Sequence, residues 1–188
     1  MRWLILVLAP LAATLILGFG LLIWLGDETT QASSAPNYTA ATIGGVQYSV
    51  AGDSEIHPSS AADARFVKGM PARERGVQKG DRLFGVFVLR SNSTHTALTS
   101  ASRIDLQDGL GRVHKPLRLS PTNPYTYAPG TVAPGGQLPA PGTPAADDIA
   151  ATGQLLLYRV PVSQVDNGWL ELVVHDPLHR GDVDYVQL

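Results

Sequence analysis

Two imidazoles and three carboxylates share a ten-residue window near the C-terminus: His175, Asp176, His179, Asp182 and Asp184. Imidazole nitrogen and carboxylate oxygen are Zn²⁺ ligands, and a tetrahedral site needs three or four of them aimed at one point. His175, His179 and Asp182 are the candidates for that role. The window lacks what would fix the assignment, since neither a helical His-x-x-x-His pair nor a third distant ligand accompanies it. Asp176-Pro177 and Arg180-Gly181-Asp182 are ordinary turn chemistry. A solvated hairpin loop holding no metal is therefore the expectation.

Other residues invite chemistry and fall short of it. Asp105, Asp108 and Gly109 resemble fragments of a calcium loop. Such a loop needs oxygen ligands at alternating positions and a bidentate Glu at the twelfth. Leu106 and Leu110 intrude and the Glu is missing, so a hairpin turn is expected. Ser, His and Asp are all present, but no Gly-x-Ser-x-Gly elbow or other nucleophile context goes with them. The expectation is a protein that is not an enzyme and carries no cofactor. Tyr125 and Tyr127, set among prolines, offer two readings: an aromatic surface for a partner or glycan, or rings that close the end of the fold and pin their own loop. Trp169 follows Asn167-Gly168 and is expected to start a strand with its ring over the core.

The elements that would position these groups are strands. Gly44-Gly45 reads as a tight hairpin, after which Val46, Tyr48 and Val50 alternate with Gln47 and Ser49. Arg82–Arg90 is apolar at nearly every position, the mark of a central strand covered on both faces. Shorter strands are predicted at Thr96–Thr99, Ser102–Leu106, Arg112–Leu117, Gln154–Val160, Trp169–His175 and Val183–Leu188. One helical turn is predicted at Val162–Val165. Ser59–Asp63 reads as a capping box opening a helix over Ala61–Lys68, with Gly69 as its stop. Leu119–Gly153 differs in kind: seven prolines between Pro121 and Pro144 should prevent any regular ladder. Many short strands without crossover helices predict an all-β, immunoglobulin-like antiparallel β-sandwich over residues 39–188.

Ahead of that domain, Trp3–Leu25 is free of charge, and fourteen of its positions are Leu, Ile, Val or Phe. As a helix it would be roughly 34 Å long, enough for a hydrocarbon core of about 30 Å. Arg2 before it and Asp27-Glu28 after it orient the N-terminus to the cytoplasm and export the remainder. The reading is a single-pass signal anchor over 1–26 in the lipid bilayer, a spacer over 27–38, and an extracytoplasmic domain at the cell membrane. Signal cleavage after a site such as Ala32, releasing a secreted ligand-binding protein, is the alternative. The chain contains no cysteine, which excludes disulfides, thiolate metal sites and a cysteine-linked lipid anchor. Beyond Arg2, 13 basic residues face 16 acidic ones; with no basic stripe, nucleic acid is excluded as a partner.

Three segments carry a resemblance. KGDRLFGVFVLRSN (Lys79–Asn92), SRIDLQDGLGRVHKPL (Ser102–Leu117) and QLLLYRVPVSQVDNGWLELVVHDP (Gln154–Pro177) are similar to an uncharacterised family of bacterial exported immunoglobulin-like domains. That family is carried behind a lipid anchor or a single membrane helix. The resemblance covers Lys79–Leu188 apart from the Pro-rich insertion. It implies fold and location, and no enzymatic activity. A non-catalytic interaction or accessory module with an unknown protein or cell-envelope partner is the function expected; an exported metal-dependent hydrolase is the remaining alternative.

Overall fold

A computed structural model describes residues 40–188. The anchor and spacer expected over 1–38 lie outside the described residues. Among the described residues, no helix is long and apolar enough to cross a membrane. The strands are β1 (Ala41–Ile43), β2 (Val46–Glu55), β3 (Asp81–Ser91), β4 (Leu98–Thr99), β5 (Ile104–Asp108) and β6 (Val113–His114). After them come β7 (Thr131–Val132), β8 (Gln137–Leu138), β9 (Gln154–Pro161), β10 (Leu170–His175) and β11 (Val183–Gln187). Short helices α1 (Ala72–Arg75), α2 (Pro144–Asp147) and α3 (Val162–Asn167) interrupt them.

The continuous apolar run becomes β3, the centre of the first sheet. It pairs antiparallel with β2 on one side, from Gln47↔Ser91 to Glu55↔Phe84. On the other side it pairs with β9, from Asp81↔Pro161 to Val88↔Gln154, and with β8 beyond that. β1 completes this sheet through the Gly44-Gly45 turn, whose φ values of 57° and 80° are those a type I′ hairpin requires. The second sheet runs β11-β10-β5-β6, and β4 pairs with β7 as a small separate ladder. All of these pairings are antiparallel, so the described domain is all-β.

Period-two alternation then makes two cores. Phe84, Val86 and Val88 of β3, with Tyr158 and Val160 of β9, face Ile104, Leu106, Leu172 and Val174 of the second sheet. Leu83 and Phe87, with Leu155 and Leu157, project the other way into a second cluster with Phe66, Met70, Leu119 and Tyr125. Phe66 packs edge-on against both Phe87 (5.3 Å) and Tyr125 (5.0 Å).

The cover over that second face corrects two expectations. Ala61–Lys68 is a chain of turns, not a helix: Ser60 O accepts from Asp63 N and Ala64 N, and Asp63 O from Phe66 N. The Asp63 carboxylate accepts from His57 N (2.9 Å) rather than closing a capping box on Ser60. Adjacent Phe66 and Val67 are both buried here, along with Met70, whereas a helix would splay neighbouring side chains by about 100°. Leu119–Gly153, expected to form no ladder, contributes β7, β8, α2 and a parallel bridge Thr126↔Leu155. Its prolines limit β7 and β8 to two residues each.

Candidate functional site

At the end of the domain where β10 finishes, the sequence candidates separate. His175 is the last residue of β10, and its Nε2 lies 3.0 Å from Asp105 Oδ2 on the neighbouring β5. Arg103 donates to the same oxygen through Nε (2.6 Å). Asp184 accepts from Thr42 N (2.8 Å), tying β11 to β1. His175 therefore leaves the predicted trio His175, His179 and Asp182, because a strand residue points where its pleat directs it. Asp176 takes its place: the ligand atoms of Asp176, His179 and Asp182 lie within 4.8 Å of one another. Asp176 Oδ1 accepts from Leu178 N (2.6 Å) and His179 N (2.9 Å), and these amides hold its carboxyl below the ordinary carboxylate range. The loop lines a cleft of about 440 Å³ together with Arg103, His175 and Arg180.

The outer face of the second sheet is different. Register places Gln107, Glu171 and Gln187 side by side across three strands, with Val173 beside Tyr185 in the next row. Glu171 is buried, which pushes its carboxyl up. Trp169 is 48% exposed and Tyr185 45%. The expectation that Trp169 covers the core is corrected: Leu170, Leu172 and Val174 face inward, so Trp169 falls on the outward phase. Among the described residues no apolar cluster covers this face, in contrast to the second face of the first sheet.

The remaining candidates serve the fold. Asp108 accepts from Leu110 N, Arg112 N, Arg112 Nε and His114 Nε2 at 2.8–3.0 Å, as a hairpin turn rather than a calcium loop. Tyr125 is buried and donates to Asp148 Oδ2 (2.8 Å). Tyr127 donates to Ala101 O (2.7 Å) beneath the Arg90 guanidinium, 4.4 Å from its ring centre. Both rings thus pin their own segment. Asn92 is buried and donates through Nδ2 to Thr96 O (2.7 Å) and Val132 O (3.0 Å).

Sequence reasoning missed Arg90, which is 1% exposed. It donates to Ser100 Oγ (2.6 Å), Ala128 O (3.1 Å) and Gln154 Oε1. The signal was its phase: Arg90 continues Phe84, Val86 and Val88 on the inward face.

No family model and no curated protein matches the chain. Solved structures resemble it, two of Bacillus proteins among them. One is a candidate lipoprotein, YcdA, of Bacillus subtilis, 14% identical with a TM-score of 0.51 over 80% of this chain. The chain spans 38% of that protein's length, and at this identity the likeness extends to the fold alone. The other is a conserved hypothetical protein of Bacillus anthracis, 11% identical, TM-score 0.40, covering 73% of this chain and 91% of that one.

Proposed function

We propose that this chain is a membrane-anchored, extracytoplasmic, immunoglobulin-like module that binds a cell-envelope partner without catalysing a reaction. The immunoglobulin-like reading is supported by the order of the strands. The chain passes from β3 in the first sheet to β5 in the second, and again from β9 to β10, leaving β2-β3-β9 and β11-β10-β5 as facing triplets. The anchor reading rests on the charge-free stretch Trp3–Leu25.

The observation that carries the binding role is the outer face of the second sheet. Exposed Trp169 and Tyr185 flank the Gln107 and Gln187 carboxamides, between which the Glu171 carboxyl lies buried. Exposed aromatic rings beside hydrogen-bonding groups are what recognition surfaces use. The test is photo-crosslinking in intact cells from positions 169 and 185, with fully exposed Ile149 as the control. Discrete adducts from 169 and 185 but not from 149 are expected. Equal labelling at 149, or none at the two aromatic positions, refutes the assignment. Added protease should digest the domain on unbroken cells; a protected domain would refute export.

A further inference from the structure

Glu171 holds a carboxyl that the fold does not use. The residue is 8% exposed, and among the described residues no group donates a hydrogen bond to it or pairs with it as a cation. Burial pushes the carboxyl up, and no hydrogen bond offsets that push. The pleat sets it on the outer face of the second sheet, because Leu170 and Leu172 on either side take the inward phase. A buried acceptor left unsatisfied is costly. Its donor comes from solvent or from a ligand seated on this face.

The surrounding groups define the chemistry of that ligand. Gln107 pairs with Glu171 in register, and its carboxamide likewise has no partner among the described residues. Gly109 brings no side chain against the exposed Trp169; a Cβ there would lie 3.7 Å from Trp169 Cβ. Tyr185 sits opposite Val173, four residues along from Trp169 and one strand over, which separates the two Cα atoms by about 14 Å. A ligand that spans both rings is therefore longer than one sugar ring or one side chain. Asp105, also on this face, already holds Arg103 and His175. A cationic peptide would find a single free charge here, and an acidic ligand would be repelled by Glu171. Neutral hydroxyls can donate to Glu171 and both donate and accept at Gln107, while the C–H faces of sugar rings stack on aromatic ones. We propose, building on the outer-face binding role above, that this face takes a neutral oligosaccharide: Trp169 and Tyr185 stack on two of its sugar rings, and its hydroxyls hydrogen-bond to Glu171 and Gln107.

The test applies the full chain, in a detergent without a sugar head group, to an array of neutral and acidic oligosaccharides with an oligolysine peptide spotted alongside. Binding to neutral oligosaccharides of several units is expected, above the acidic ones and the peptide. Trp169→Ala and Tyr185→Ala should each abolish it, and Ile149→Ala, at a fully exposed position, should leave it unchanged. Glu171→Gln should weaken it at least about tenfold, the worth of one hydrogen bond to a charged group. The thermal transition of that variant should not fall below the parent's, since the carboxyl supports nothing inside the fold. No neutral oligosaccharide bound, stronger capture by the acidic sugars or the peptide, binding that survives Trp169→Ala, or a lowered transition in Glu171→Gln overturns the proposal. Crosslinks from positions 169 and 185 to a protein, with the array blank, overturn the sugar and keep the face as a binding surface. Neither crosslinks nor array binding overturns both.

Discussion

Asp108→Asn isolates one buried charge and the pH dependence that comes with it. The Asp108 side chain is 0% exposed and accepts four hydrogen bonds: two backbone amides on Oδ1, and Arg112 Nε with His114 Nε2 on Oδ2. An asparagine oxygen can keep the amides. Its NH₂ then faces the Arg112 donor, so at least one charge-assisted bond is lost and a partly buried donor is left unpaired. Such losses cost about 2–4 kcal/mol. Burial on its own would push the carboxyl up, but hydrogen bonds from His114, Arg112 and Leu110 outweigh it and bring the group from 3.8 down to about 2. A lowered carboxyl pKa lends stability that is complete above pH 4 and is lost as pH falls through about 2. At about 1.4 kcal/mol per unit this amounts to about 2 kcal/mol. Urea unfolding followed by circular dichroism between pH 7 and pH 2 measures it. The parent should exceed the variant by about 2–4 kcal/mol at pH 7, and the gap should narrow by about 2 kcal/mol at pH 2. A gap that stays level across that range, or one below about 0.5 kcal/mol at pH 7, refutes the reasoning.

Gly85→Ala should destabilise by about 1–3 kcal/mol through overpacking, because an added Cβ would sit 2.9 Å from both Ile56 Cγ1 and Leu155 Cδ1; denaturant midpoints report it. Asn123 donates to Arg65 O (2.9 Å) and Phe66 O (2.8 Å) and accepts from Tyr125 N (3.1 Å). Asn123→Ala should cost about 2 kcal/mol and expose Arg65 and Lys68 to trypsin before the rest of the domain is cut. Tyr48 OH accepts from the buried Ala101 N at 2.6 Å, so Tyr48→Phe should cost about 1–3 kcal/mol in the thermal transition. Burial pushes that phenol up to about 12; the parent's added stability therefore holds below pH 10 and fades as pH rises through 12, and the variant should lack that alkaline loss.

The strands were legible because the chain writes their faces in period two. Val46, Tyr48 and Val50 alternate, and Leu170, Leu172 and Val174 do the same; both sets lie in the core between the sheets. The unbroken apolar run of Arg82–Arg90 announced a strand covered on both faces, yet nothing in the chain announced what covers the second one. That cover is made of turns and Pro-rich segments, whose side chains are buried without any period. Phe66, Val67 and Met70 reach the sheet through successive bends, and Leu119 and Tyr125 through a loop pinned by Asn123. Period-based reasoning detects only elements that repeat.

The same limit explains why the polar groups were sorted wrongly by nearness along the chain. His175 and Asp176 are neighbours, yet the last residue of β10 takes the outward pleat toward Asp105, while the next turns with the loop toward His179. A strand end thus divides one cluster into two sites with different work, a strand-to-strand clasp and an open loop of donors. Arg90 is the converse case, a charged residue that keeps the inward phase of its strand. Its guanidinium finds Ser100, Ala128, Gln154 and the Tyr127 ring, all supplied by segments distant in sequence. In this all-β domain, pleat phase assigns a polar side chain to core, clasp or surface more reliably than its distance from other polar residues does.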